Sequence, residues 1–338
     1  MEYWLQLWYG LEHLPHLRAW LTAGWVVYLL GLGGWIVLQK REPAATLSWL
    51  ISLAALPYIG FLIYYVLGPQ RIVRHRARRQ RHYARLPRED TGSGDESAEL
   101  RTLALTTTGL PPSTACEVRL LVDGGHKYPA LLAAIAQARE HIHLEYYIYN
   151  PDRTGGALLE ALVERARAGV KVRLLVDAMG SKLANRRYFA PLLEAGGELA
   201  WFHPTRLWLP WRRPWLNLRT HRKLVVIDGK IGFLGGINIT DEEDERLRED
   251  AYRDLHLQIK GDVVHALQDV FVEDWAYATE RSDFIGEVVR TMPPKQPGPI
   301  RAQLLISGPD SRWEAIHRMH VSAIYTASRR VWLSTPYF

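Results

Sequence analysis

The chain has 338 residues, 48% of them hydrophobic, which is enough for two modest domains or one large one and excludes a disordered or collagen-like chain. Its single cysteine, Cys116, excludes an internal disulfide framework and reads as a buried, inert thiol. The net charge is +6, yet eight arginines and no acidic residue fall within residues 71–88, so the rest of the chain sums to −2. An evenly basic face for tracking nucleic-acid phosphates is therefore not expected.

Two charge-free apolar stretches come early: residues 19–39 (AWLTAGWVVYLLGLGGWIVLQ) and 44–68 (AATLSWLISLAALPYIGFLIYYVLG). Each reaches the roughly 20 residues that a bilayer span needs. Trp20, Trp25 and Trp35 lie in or near the ends of the first, and Tyr64 and Tyr65 near the end of the second, where interfacial anchors sit. The four residues between them allow only a tight hairpin. A buried helical pair in a soluble protein is the alternative. A cleaved signal peptide is another, disfavoured by Glu2 and Glu12 in place of a basic start. The expectation is a retained two-helix transmembrane anchor over residues 1–70. The arginine-rich segment outweighs Lys40-Arg41 and places the rest of the chain on the cytoplasmic side by the positive-inside rule. Against anionic head groups each arginine would contribute about 1 kcal/mol.

Residues 71–116 read as a basic juxtamembrane segment and a Gly/Ser/Thr/Pro-rich linker, with a short helix expected over 98–105. Beyond it the pattern alternates. Strands are expected over 118–122, 141–149 and 172–177, and helices over 128–139 and 156–168. That rhythm predicts an α/β domain with a largely buried sheet, spanning residues 117–290. Residues 201–219 (WFHPTRLWLPWRRPWLNLR) interleave four tryptophans with Arg206, Arg212, Arg213 and Arg219. They suit either a loop that dips toward lipid head groups or tryptophans packed in the core.

The stretch THRKLVVIDGKIGFLGGIN, residues 220–238, carries the chemistry. A strand is expected over 223–228, with a turn at Gly229-Lys230 into a second strand at 231–234. On a strand, His221 and Lys223 are two apart and share a face. An imidazole able to attack phosphorus and an ammonium able to neutralise a phosphate oxygen would then enter one pocket. Gly235 and Gly236 let backbone pass close to a ligand, and Asn238 adds an amide donor. Metal binding is the weaker rival, because His126, His141, His143 and His256 lack a ligand motif joining them. The acidic run at 241–245 faces solvent or positions a polyol.

HRKLVVIDGKIGFLGGIN resembles the H-K-D signature of the phospholipase D superfamily. REPAATLSWLISLAALPYIGFLIYYVLG, HLEYYIYNPDRTG, RLLVDAMGS, NITDE and YRDLHLQIKG resemble the bacterial cardiolipin synthase branch. Thr220 departs from the pattern, standing where these enzymes often carry Asn. The resemblance implies a phospholipase D-like sheet with flanking helices behind a two-helix transmembrane hairpin. It implies transfer of a phosphatidyl group between two phosphatidylglycerol molecules through a phosphohistidine, releasing glycerol, with no metal and no cofactor. His221 would be the nucleophile, Lys223 and Asn238 would bind phosphate, and Asp228 would anchor the hairpin. Asp254 would hold the imidazole, with Gly235, Gly236 and Glu145 in support. The expected partners are membrane phospholipid and an anionic membrane surface, not nucleic acid. The expected location is the bacterial inner membrane, multi-pass, with the catalytic domain cytoplasmic.

The chemistry calls for a second histidine, and the chain repeats itself in a way that points to one. AQAREHIHLEYYIY aligns with YTASRRVWLSTPYF at an offset of 189, and RLLVDGG with QLLISGP at 184. A second H-K-D histidine would then fall near position 410. Residues 291–338 thus read as a linker and the truncated start of a second domain, with the second repeat incomplete. If the chain is complete, a homodimer would assemble the pocket across a two-fold axis. Other phospholipase D-type phosphodiesterases or transphosphatidylases, and an inactive fragment, stay open.

Overall fold

The computed structural model describes residues 16–38, 43–55, 96–203, 219–308 and 314–335. The chain divides into two units, the first comprising residues 1–69 and 209–217 and the second the remainder.

In the first unit, α1 (Leu17–Leu38) and α2 (Pro43–Ala55) are the described elements. Gly33 of α1 faces Leu50 of α2, Leu53 is buried against Trp49 and Leu50, and Trp25 stacks on Tyr28 at 5.3 Å. Among the described residues no helix is long and apolar enough to cross a membrane. α1 is described over 22 residues and α2 over 13. The remainder of the expected second span, the arginine run at 71–88 and most of the Trp/Arg stretch (204–218) lie outside the described residues.

The second unit is a seven-stranded mixed sheet with helices on both faces. In chain order come α3 (Glu96–Thr108), β1 (Ser113–Ala115), β2 (Glu117–Val122), α4 (Asp123–Ala136), β3 (His141–Tyr146), α5 (Arg153–Arg167), β4 (Lys171–Asp177), α6 (Ala190–Glu194) and β5 (Glu198–Phe202). There follow β6 (Leu224–Ile227), β7 (Ile231–Gly235), a 3₁₀ turn (Asp241–Glu243), β8 (Leu255–Lys260), α7 (Val263–Thr279), α8 (Ile285–Thr291), β9 (Ile300–Ala302) and α9 (Ala315–Thr326). The sheet order is β2-β8-β7-β6-β3-β4-β5, and β1 pairs separately with β9. The pairs β3–β4 and β4–β5 are parallel and the rest of the main sheet is antiparallel. Parallel strands need crossover helices, which α5 and α6 provide, whereas β6 and β7 need only a tight turn.

Burial of both faces explains why β3 alternates and yet has no exposed residue. Ile142, Leu144 and Tyr146 join Leu131 and Ile135 of α4 and Leu158 and Leu162 of α5 in the main core. His141 and His143 point the other way, toward α7, and stack on each other at 4.4 Å, with His143 flat on Phe271. Gln268 bonds both rings, Arg173 approaches His143 Nε2 at 3.3 Å, and Arg173 pairs with Glu198.

Three expectations are corrected. The strand at 141–149 ends at Tyr146, because residues 148–150 pair instead with the loop after β7 through a bridge between Tyr149 and Ile239. The helix placed at 128–139 begins at Asp123. Its Gly124 is not a turn residue: a Cβ there would lie 2.1 Å from the Glu243 carbonyl, so the glycine admits the 3₁₀ turn. Cys116 is exposed, not buried, because it precedes the edge strand β2, with its Sγ 3.3 Å from the Gln296 carbonyl.

Burial, with Arg173 adding to it, holds His141 and His143 below the ordinary imidazole range, and the His141 imidazole lowers His143 further. The unfolded chain therefore binds protons more readily than the folded one as pH falls below 6.5. Thermal unfolding should show stability held above that pH and lost progressively beneath it, and His143→Gln should flatten the dependence. An unchanged profile in that variant would contradict the assignment.

Candidate active site

The β6–β7 hairpin is fixed by Asp228. Its carboxylate accepts the backbone N–H groups of Arg139, Glu140 and His141, at 2.8–3.2 Å, while its own N–H donates to the His141 carbonyl at 2.9 Å. Asp228 and Gly229 both have positive φ, 51° and 63°, the condition of a primed hairpin turn. A single carboxylate thus satisfies three donors at the start of β3 and sets the register of β6 upon it.

β6 begins at Leu224, so His221 and Lys223 lie on the extended lead-in and not within the strand. Thr220 fixes that lead-in. Its hydroxyl donates to Glu145 at 2.5 Å and its N–H to Asp177 at 3.3 Å, and all three residues are buried. The departure from the family pattern at 220 therefore keeps a polar contact beside the histidine. Arg222 turns the opposite way and pairs with Asp274 of α7.

His221 is exposed, with its ring stacked on Tyr147 at 4.0 Å and 20°. Gly180 makes room for the tyrosine, since a Cβ there would lie 2.9 Å from the Tyr147 ring. Partial burial and then the Lys223 charge lower the His221 pKa, with Asp177 opposing. The imidazole is thus held in its neutral, nucleophilic form. Lys223 is buried to 9% exposure, with Nζ donating to the His221 carbonyl at 2.8 Å and lying 5.4 Å from the Tyr147 ring centre. Burial lowers its pKa, while Glu243 and Asp254 act to keep it charged.

The other expected residues are placed as follows. Asn238 is buried, its Oδ1 accepting from Ile148 N and its Nδ2 donating to Glu243, which leaves one amide hydrogen uncommitted. Gly235 and Gly236 give their space to protein: a Cβ would lie 2.6 Å from His256 Nδ1 at Gly235 and 2.2 Å from the Asp254 carboxylate at Gly236. Asp254 is exposed and makes no hydrogen bond to His221 among the described residues. It accepts from Leu255 N and acts on Lys223. Sequence reasoning gave no role to Tyr147, Asp177 or Lys127, because a ring, a buried carboxylate or a buried lysine outside a motif has no periodicity to betray it; in the acidic run expected to face solvent or a polyol, Glu243 and Asp244 are buried.

Removing the Asp228 carboxylate strands three backbone donors. Asp228→Ala should cost about 3 kcal/mol or more in chemical unfolding, with Thr220→Val costing about 1–3 kcal/mol. A loss under about 0.5 kcal/mol for Asp228→Ala would mean that the hairpin is held elsewhere.

Two family models match the chain: "Cardiolipin synthase, PLD-like domain" over residues 131–275 and "Phospholipase_D-nuclease N-terminal" over 19–69. A cardiolipin synthase of Geobacillus sp. (strain WCH70) is 37% identical over 90% of this chain and 62% of that protein. Cardiolipin synthase 1 of Bacillus cereus is 33% identical over 95% of this chain and 67% of that protein. The chain thus spans about two thirds of the length of these relatives. The solved phospholipase D family member Nuc of Salmonella typhimurium covers 48% of this chain and 94% of its own, at 18% identity and a TM-score of 0.36. Identity at this level across two thirds of a relative, on an α/β sheet that carries the H-K-D hairpin, establishes that the chain belongs to the cardiolipin synthase family.

Proposed function

We propose that this chain carries the nucleophilic half of a phosphatidyl-transfer site that makes cardiolipin from phosphatidylglycerol. The observation that carries the reading is the pairing of an exposed, neutral imidazole at His221 with a nearly buried ammonium at Lys223, on a domain of this family.

In the first step an imidazole nitrogen of His221 attacks the phosphorus of one phosphatidylglycerol. The bond from phosphorus to the head-group glycerol oxygen breaks, and glycerol leaves with a proton from a general acid. In the second step a hydroxyl of another phosphatidylglycerol attacks the phosphohistidine, frees His221 and returns a proton to that acid. Lys223 neutralises the phosphate oxygens, with the uncommitted Asn238 hydrogen beside it. Asp228 acts by holding the hairpin, and Glu145 and Asp177 by holding Thr220. Asp254 serves Lys223, where its charge is felt. The acid is a second imidazole. His141, His143 and His256 are buried; the role is assigned, as the family pattern implies, to the histidine of a second H-K-D motif, in the same protein or in a second copy of it.

The domain division proposed is a membrane anchor at 1–70, a basic segment and linker at 71–116, a catalytic domain at 117–290 and the start of a second domain at 291–338. Charge-free lengths of 21 and 25 residues and the match of the N-terminal family model support the hairpin. A multi-pass location in the cell membrane with a cytoplasmic catalytic domain follows from the arginine run. Such a location gives the enzyme its lipid substrate at the surface. Action on nucleic acid is disfavoured by the net −2 outside that run.

Membranes carrying the chain, supplied with phosphatidylglycerol, should yield cardiolipin and glycerol. His221→Ala should reduce the yield by about 10³-fold or more and Lys223→Met by about 10²-fold. No turnover from either wild type or variant would favour a catalytically silent chain. Because the neutral imidazole attacks, the rate should fall as pH drops through a midpoint below the ordinary 6.5. A midpoint above 6.5 would show that His221 is not the attacking base.

A further inference from the structure

Beneath Lys223 lies a set of buried charges that the two chemical steps do not use. Lys127 of α4 is wholly buried, and its Nζ donates to the Asn238 carbonyl at 2.9 Å. The same ammonium lies 4.4 Å from the Tyr128 ring centre and 4.8 Å from that of Tyr146. On the other side of the loop, Glu243 accepts the Asn238 N–H at 2.5 Å and the Asn238 Nδ2 at 2.7 Å. Tyr128 adds its hydroxyl to the carbonyls of Asn238 and Thr240. Asn238 is thereby gripped by a cation from α4 and an anion from the 3₁₀ turn.

Packing alone gives no reason for that cation. An apolar side chain would fill the site without the several kcal/mol that desolvating an ammonium costs. Two aromatic faces and a nearby carboxylate offset that cost in the charged form. Glu243 is the carboxylate common to both lysines, since its charge acts on Lys127 and Lys223 alike. We propose that Lys127 is a positioning residue for the phosphate clamp: a buried ammonium that, with Glu243 on the other side of Asn238, fixes the loop beside which Lys223 binds phosphate. The proposal rests on the reading of Lys223 as the phosphate-binding group.

The groups facing Lys223 allow a test by sign. They are Glu243 from the 3₁₀ turn, Asp254 ahead of β8, Lys127 from α4, buried His256 from β8, and its own neighbours His221 and Tyr147. Removing Lys127 takes away a like charge and leaves Glu243 to Lys223 alone, so the Lys223 ammonium should hold its proton to higher pH. Removing the Glu243 charge should do the opposite. A substitution that merely loosened the loop would move both variants in one direction.

The experiment is side-chain NMR of the full chain, labelled with ¹³C-lysine in lipid nanodiscs, with Lys223→Arg used to assign the Lys223 signal. Lys127→Met should raise the Lys223 titration midpoint and Glu243→Gln should lower it. Inorganic phosphate, followed by calorimetry, should bind Lys127→Met about tenfold more weakly than wild type, equivalent to about 1.4 kcal/mol. Unmoved midpoints, or shifts of the same sign, would overturn the proposal. Should Lys127→Met fail to fold, the Glu243→Gln midpoint decides, and a rise or no change there overturns it. Since no readout depends on turnover, a chain inactive on phosphatidylglycerol would defeat the proposed function while leaving this result to stand or fall by itself.

Discussion

One carboxylate holds the site in register. Asp228 closes the β6–β7 turn and, by accepting three successive backbone donors at the start of β3, locks the hairpin onto the neighbouring interior strand of the sheet. Everything that bears on chemistry is placed from that join. The lead-in to β6 presents His221 and Lys223 at the end of the sheet where β3 and β4 finish. The continuation of β7 carries Gly236 to Thr240 alongside residues 148–150. Had the turn slipped by one residue, every side chain on β6 would change face. The buried Lys223 would then point away from the carboxylates that keep it charged.

Around that join the polar groups divide by depth. At the surface lies the His221 imidazole, resting on Tyr147. Just beneath are Lys223, whose charge Glu243 and the exposed Asp254 favour, and Thr220, bonded to Glu145 and Asp177. On the opposite face, under α7, His141 and His143 are neutral, stacked and bonded to Gln268. The sequence shows no ligand motif joining them, and burial makes them part of the core. The same residue type thus serves two ends, and depth decides which.

Much of this was legible in the sequence, and the parts that were not share a cause. Strand alternation at 141–146 and the apolar run at 224–227 are local patterns with clear periods, and the spacing of His221, Lys223 and Asp228 is a local motif. The α/β class follows from their rhythm. Contacts that join distant segments left no such trace. Gly124 falls between the expected strand and helix, and only the approach of the Glu243 carbonyl explains a glycine there. Gly235 and Gly236 look like room for a ligand until β8 fills the space with His256 and Asp254. Lys127 lies outside the helix expected over 128–139, yet it is buried on α4 and its partner is a carbonyl 111 residues away. Asp254, expected to hold the imidazole, accepts from Leu255 N at the head of β8 and exchanges bonds with Asp123 of α4. Tertiary approach, not propensity, settles each of these.

The central claim is that His221 takes up the phosphatidyl group. It is tested most directly by mixing the protein with phosphatidylglycerol, quenching under alkaline conditions that preserve phosphoramidates, and mapping the modified peptide by mass spectrometry. A phosphatidyl adduct on the peptide containing His221, absent from His221→Ala, is the predicted result. An adduct on another residue, or cardiolipin formed at full rate by His221→Ala, would contradict it.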